Sequence, residues 1–258
     1  MNSSSETFSL DDFIAYCYQR GFSLTDKQID QFVRYAFLLQ EWNERMNLTA
    51  ITSLEGILLK HFVDCLELIP VIRHSSAWIE GRTLRMLDFG TGAGFPGLVL
   101  KLVMPEVEMT LCDSLRKRTD FLTTVVKQLD VSNVTILHTR AEELAKDRAY
   151  RERFSHVVAR AVARMPVLIE WAGPFVEIGG SFHAMKGPDP KNEMEESLYV
   201  AKKLGFSQFV VTPYVLPLQA GDHTIISLYK DRPTPKVFPR KPGEAQRSPL
   251  LTRNHESK

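Results

Sequence analysis

Over the first seventy residues the apolar side chains recur at helical spacing. Ser9 can cap a helix carrying Phe13, Ile14 and Cys17 that stops near Gly21. Thr25 and Gln28 make a capping-box pair, and Ile29, Phe32, Val33, Ala36 and Leu39 then share one face. Ser53 opens a third helix with Ile57, Leu58, Phe62, Cys65 and Ile69, which Pro70 is expected to end. Trp42-Asn43 and Asn47-Leu48-Thr49 break that period, and His61 and Asp64 sit one turn apart. Local hydrogen bonding and capping explain both clusters more readily than catalysis does. One His and one Asp fall short of a metal ligand set, so no metal is expected.

From residue 84 short apolar runs alternate with amphipathic stretches. Strands near 84–89, 107–112, 133–138, 154–159 and 181–186 interleave with helices near 95–103, 115–129, 164–177 and 190–204. That alternation is what a parallel sheet requires. After Gly205, SQFVVTPYVL and HTIISLYK are separated by QAGD and read as an antiparallel pair. No internal repeat is visible. The expected organisation is a helical region over 1–72, an α/β domain over 73–230 and a flexible basic tail over 231–258.

The chemistry concentrates between Leu84 and Leu98, where the strand LRMLDF runs into the turn GTGAGFPG and then a helix. Gly90, Gly92 and Gly94 would let backbone N–H groups approach a ligand that any Cβ would hold off. Pro96 suits a first helical turn, and the free N–H groups there would face a carboxylate or phosphate. Two cofactor readings share these residues. Gly92 to Gly97 fits G-x-G-x-x-G, the dinucleotide fingerprint. Asp88 to Gly94 fits D-x-G-x-G-x-G, which resembles the first motif of S-adenosylmethionine-dependent methyltransferases. Both want an acid at the end of the next strand for ribose hydroxyls, and Asp113 follows VEMTLC.

Other strand ends on the same side also carry polar groups. After the second strand come Asp113, Ser114 and Leu115, then the basic run Arg116-Lys117-Arg118. The loop after the third holds Ala141 and Glu142, placed for an adenine edge; the fourth and fifth strands end in Arg160 and in Lys186-Gly187. Methylation of an exocyclic amine commonly goes with N/D-P-P-Y/F after strand four, where this chain reads Ala159-Arg160-Ala161-Val162. No cysteine follows a proline, as a C5-pyrimidine enzyme would need. Guanine N7 requires neither device, because its lone pair can attack a sulfonium methyl without a general base. Catalysis is then mainly orientation. Arg160, Lys186 and Asn47 are the candidates for holding the guanine, although positive charge beside a developing cationic base is a cost.

Composition adds bounds. With 258 residues and 44% hydrophobic content, the chain can bury one large domain, with or without an appendage. It opens without a signal-peptide pattern, and no apolar run approaches the ~18 residues of a membrane span. Cys17, Cys65 and Cys112 are too far apart for a C-x-x-C pair and fit reduced thiols, so a cytoplasmic setting is expected. The net charge of +1 hides a division: from Lys230 onward there are eight Lys/Arg against three Asp/Glu, while the body is mildly acidic. Such a tail is either an electrostatic arm for nucleic acid or a solvated terminus.

WNERMNLT, HFVD, LDFGTGAGFPG, DSLRKR, RAEE, ARA, AMKG and PRKPG follow one another over roughly residues 25–245. In order and spacing they resemble the RsmG (GidB) family, methyltransferases of guanine N7 in 16S ribosomal RNA. The resemblance implies a class I S-adenosylmethionine-dependent methyltransferase fold: a Rossmann-like seven-stranded sheet, its last strand antiparallel, under an N-terminal helical cap. It implies S-adenosylmethionine as cofactor, contacted by Gly90 and Phe95, by Asp113, Ser114 and Leu115, by Ala141 and Glu142, and by Arg160. The substrate would be a guanosine in the 530 loop of 16S ribosomal RNA, in the small ribosomal subunit or its precursor, and the enzyme a monomer. Cys65 and Phe89 depart from the usual residues at positions expected to lie away from the chemistry. Two other readings are an NAD(P)-dependent oxidoreductase on the same glycines and a nucleic-acid-binding module with a vestigial pocket. The first would need a nicotinamide-facing His, Tyr or Lys set and a second nucleotide-binding half, and neither is visible.

Overall fold

The computed structural model describes residues 7–79 and 81–252. Two capping boxes start the chain. Asp12 and Ser9 satisfy each other's backbone N–H ahead of α1 (Leu10–Gln19), and Gln28 and Thr25 do so ahead of α2 (Asp26–Met46). Ser53 caps α3 (Leu54–Ile57), which runs into a π-helical turn over Leu58–Val63, then α4 (Asp64–Leu66) and α5 (Leu68–Arg73). Pro70 therefore does not end this helix. The ladder already breaks near Glu67, and Pro70 falls in the first turn of α5, where a missing N–H leaves nothing unpaired.

The α/β part runs β1 (Arg85–Phe89), α6 (Gly97–Val103), β2 (Glu108–Asp113), α7 (Arg116–Gln128), β3 (Val134–His138) and α8 (Ala141–Leu144). It continues β4 (Phe154–Arg160), α9 (Met165–Ala172), β5 (Val176–Lys186), α10 (Lys191–Leu204), β6 (Phe206–Val215) and β7 (Asp222–Lys230). The seven strands lie in the order β3-β2-β1-β4-β5-β7-β6, and β7 is antiparallel to both its neighbours. The expected helix over 164–177 is shorter because Gly173-Pro174 stops it. Strand β5 consequently begins at Val176, and its pairing with β4 shifts register between Phe154 and His156, opposite Gly179 (φ +84°).

Alternation along the strands fills two cores. Met86, Met109 and Val158 face α6, α7 and the N-terminal helices, where Phe13, Phe32 and Phe62 pack with ring centroids 5.1–6.2 Å apart. Leu87, Val157 and Phe182 face α9 and α10. The helical cap thus shares one core with a sheet face.

Residues 231–252, expected to be a flexible arm, lie packed on the second core. Arg151 holds the carbonyls of Thr234, Pro235 and Phe238 at 3.1, 3.2 and 2.7 Å. Phe238 is buried, and so is Ala245 of α11 (Glu244–Arg247). Arg240 forks onto Glu170 at 2.6–3.0 Å. Lys230, fully buried, donates to Glu152 and to the Gly173 and Val176 carbonyls at 2.7–2.8 Å. Two of the tail's cations are thereby neutralised inside the fold, which weakens its role as an electrostatic arm. The tail residues 253–258 lie outside the described residues.

Candidate functional site

A cleft of about 460 Å³ opens at the C-terminal ends of β1, β2 and β4, where open α/β sheets bind ligands. Its walls include Gly90, Asp113, Ser114, Ala141, Glu142 and Trp171. Asp113 is buried and organises the rim: its carboxylate accepts the Gly92 N–H at 3.0 Å and the Leu115 N–H at 2.9 Å, and Arg118 approaches at 3.3 Å. Gly90 adopts φ +65°, and a Cβ there would come within 2.9 Å of the Val162 side chain. The Trp171 indole N–H is buried without a partner in the described residues. Phe89 also lines this cleft, so that departure does reach the site, contrary to the expectation from sequence.

The other glycines of the turn play different parts. At Gly94 (φ +97°) a Cβ would strike the Tyr35 hydroxyl, itself bonded to the Ala93 carbonyl, so this glycine admits the helical cap. Gly92 faces open space. The N-terminus of α6 does not await a ligand anion as expected. Asp88 occupies it, accepting the Gly97 N–H at 2.7 Å and the Thr91 hydroxyl at 2.6 Å. Burial pushes this carboxyl up to about 7, against the pull of those two bonds.

A second cleft of about 470 Å³ adjoins the first and shares Ala161 with it. Ala161 adopts φ +55°, strained for a residue with a Cβ. Here Arg160 is the centre. Its guanidinium donates to Asp64 Oδ2 at 2.8 Å and to His61 Nδ1 at 3.1 Å, and it lies 4.9 Å over the Phe95 ring. Asp64 Oδ1 receives the Tyr214 hydroxyl at 2.6 Å and His223 Nδ1 at 2.7 Å. His61 stacks on Phe95 (centroids 4.6 Å apart), and its Nε2 meets Thr49 Oγ1 at 2.8 Å; Asn43 in turn clamps Thr49 with two bonds. Lys186 closes the cleft, tied to Glu193 at 2.7 Å.

The electrostatics follow from that wiring. Burial, reinforced by Arg160, brings His61 down to about 4, so the ring is neutral and accepts at Nδ1. Burial alone would raise the Asp64 carboxyl, but His223, Arg160 and Tyr214 together hold it below the ordinary range. The same bond to Asp64 raises His223.

Seven strands in the order β3-β2-β1-β4-β5-β7-β6, with a cleft at the glycine turn, describe a fold that many activities share. Comparison with known proteins narrows it. Residues 28–216 match the family model for rRNA small subunit methyltransferase G (GidB). The chain belongs to this family. A ribosomal RNA small subunit methyltransferase G from Acetivibrio thermocellus is 44% identical over 230 residues, 89% of this chain and 92% of that protein. One from Desulfitobacterium hafniense is 45% identical over 228 residues, 88% and 92% of the two chains. Among solved structures, the CurJ carbon methyltransferase superposes with a TM-score of 0.52 at 11% identity, covering 86% of this chain and 71% of that one, which shows the fold alone. As a member of the family the chain is an S-adenosylmethionine-dependent methyltransferase with small-subunit ribosomal RNA as substrate. No helix among the described residues is long and apolar enough to cross a membrane.

Within this chain, the expected site residues separate. Gly90, Asp113, Ser114, Ala141 and Glu142 line the first cleft. Arg160 and Lys186 line the second, with Phe95 beneath Arg160 and away from the first cleft's wall. Leu115 meets the rim through its backbone N–H. Gly92 lines neither cleft but gives its N–H to Asp113, and Gly94 packs under the cap. Asn47 lies outside both clefts: it ends α2 in a left-handed conformation (φ 48°), a C-cap position that Asn tolerates. Reading the sequence missed His223, Tyr214 and Trp171. His223 and Tyr214 lie on the late strands, far along the chain from their partner Asp64, and no local motif marks them.

Proposed function

We propose that the first cleft holds S-adenosylmethionine and that the second presents N7 of a guanosine in the 530 loop of 16S ribosomal RNA to it. The residues fit the cofactor: Gly90 leaves room at the strand tip, Asp113 lies where ribose hydroxyls would bind, and Trp171 has an unused N–H. When bound, the cofactor supplies a methyl group made electrophilic by a sulfonium. The chain's own part is to hold the guanine edge and exclude water.

One observation carries the choice of N7. The two side-chain acceptors in direct contact with Arg160 are already engaged. His61 Nδ1 takes an Arg160 N–H, its Nε2 faces Thr49, and the Asp64 carboxylate is shared among Arg160, Tyr214 and His223. Neither His61 nor Asp64, so held, is free to remove a proton, which an exocyclic amine must lose and a ring nitrogen need not. His223, whose Nε2 makes no hydrogen bond to the described residues, is the one side-chain acceptor of the cleft left over. Pairing also answers the charge problem. Arg160 is neutralised by Asp64 and Lys186 by Glu193, so a cationic base can form beside them at less cost.

The acting unit we propose is a monomer. The helical region of 1–72, the methyltransferase domain of 73–230 and the segment after it serve as functional parts of that unit. The test is transfer of labelled methyl to small subunits lacking the modification and, separately, to naked 16S RNA, mapped by mass spectrometry. Label on N7 of a single guanosine in the 530 loop is expected; label on any other atom overturns the proposal.

A further inference from the structure

The cofactor cleft has a wall that its glycine motif does not announce. The segment after β7 is pinned by the Arg240 fork on Glu170, the neighbour of Trp171. Three residues later the Gly243 N–H donates to Glu142 Oε1 at 3.0 Å, and the buried Ala245 fixes the turn that follows. Gln246 then lines the cleft beside Thr139, Ala141 and Trp171. Its side-chain amide makes no hydrogen bond to the described residues. This end of the cleft lies beyond Asp113, on the side of the loop after β3. With the ribose on Asp113, it is where the base of the cofactor falls.

We propose that Gln246 is a cofactor-binding residue whose amide recognises the adenine edge of S-adenosylmethionine, with Arg240 and the Gly243–Glu142 bond as its supports. A carboxamide offers one donor and one acceptor side by side, matching the N6 amine and N7 of adenine in a bidentate pair. Hypoxanthine carries a carbonyl at position 6 and cannot make that pair. The inference rests on the assignment of this cleft to the cofactor.

The experiment is calorimetric titration of the full chain with S-adenosylhomocysteine and with its inosine counterpart, comparing wild type with Gln246→Ala and Gln246→Met. Wild type should prefer the adenosine ligand. Both variants should bind it about 10-fold more weakly and lose most of the preference, since one bidentate contact commonly gives that much discrimination. Thermal unfolding should be unchanged, because Gln246 is exposed. Unaltered affinity and preference in a folded variant overturn the role of Gln246 and leave the cofactor cleft standing. Undiminished binding of the adenosine ligand to a folded Gly90→Val variant overturns the cleft assignment itself.

Discussion

Of the two clefts that meet at Ala161, one opens over the glycine turn at neighbouring strand tips, where Gly90 leaves room and Asp113 sets the backbone N–H groups of the rim. The other is walled by ionisable side chains brought from four separate segments, at residues 60–64, 160, 186 and 223. The first needs space, so its sensitive positions are those where atoms must be missing. The second needs held charge, so its sensitive positions are those where a partner must be present. A cofactor common to many enzymes can be met by a shared turn; a single RNA base requires a constellation particular to its own fold.

Mutations at one cleft should therefore leave the other's property intact. Gly90→Val should have the largest effect. A branched side chain at φ +65°, already within 2.9 Å of Val162 at its Cβ, should abolish measurable binding of S-adenosylhomocysteine in calorimetry. Retained binding in a folded variant would remove the spatial argument for the first cleft.

Arg160→Ala comes next and decides to which cleft Arg160 belongs. It should lower kcat/KM for methyl transfer about 100-fold, or roughly 2.7 kcal/mol, with cofactor affinity within about threefold of wild type. A parallel fall in cofactor affinity would place Arg160 with the first cleft instead.

Acid should also separate the clefts. Folding lowers His61 from 6.5 to about 4, so below pH 6.5 the unfolded chain binds the proton that the folded chain refuses. Its contribution is full above that pH and is lost as the pH falls, by about 2 kcal/mol between pH 7.5 and 5. His156, also pushed down to about 4 by burial, adds a loss of the same sign away from both clefts. His223 is raised and acts oppositely, its contribution fading as pH rises through its folded value. Urea midpoints at the two pH values, with His61→Gln for comparison, should show a shallower acid decline in the variant.

Asn47→Gly should have the smallest effect. A glycine accepts φ 48° freely, so methyl transfer should stay within about twofold and stability within about 0.5 kcal/mol. A large loss of transfer would bring Asn47 back to the substrate side.

The same contrast explains what could be read from the sequence. The glycine turn, Asp113 and the Ala141-Glu142 loop lie at the tips of neighbouring strands, and strand–turn–helix periodicity locates each of them. Short-range rules also gave the Ser9 and Thr25 caps. Where two local signals competed, the reading slipped: Pro70 marked a stop that the break near Glu67 had already made harmless, and the apolar run through Phe175 and Val176 hid the start of β5. The Asp64–Tyr214–His223 cluster spans about 150 residues of chain and has no local period at all. Packing of the tail depended on single residues, such as Arg151 and Glu170, whose partners nothing nearby in the sequence reveals.

The position of β7 imposes an order of assembly. Strand β5 is finished long before the strand that pairs with its outer edge, because β6 passes to the far side and leaves a strand-wide gap. A chain emerging from the ribosome therefore carries two unmatched β-edges until residues 222–230 arrive to join them. His223 enters with that last strand, so an unfinished molecule would lack a side of its second cleft at the stage when its sheet is most prone to stick to others.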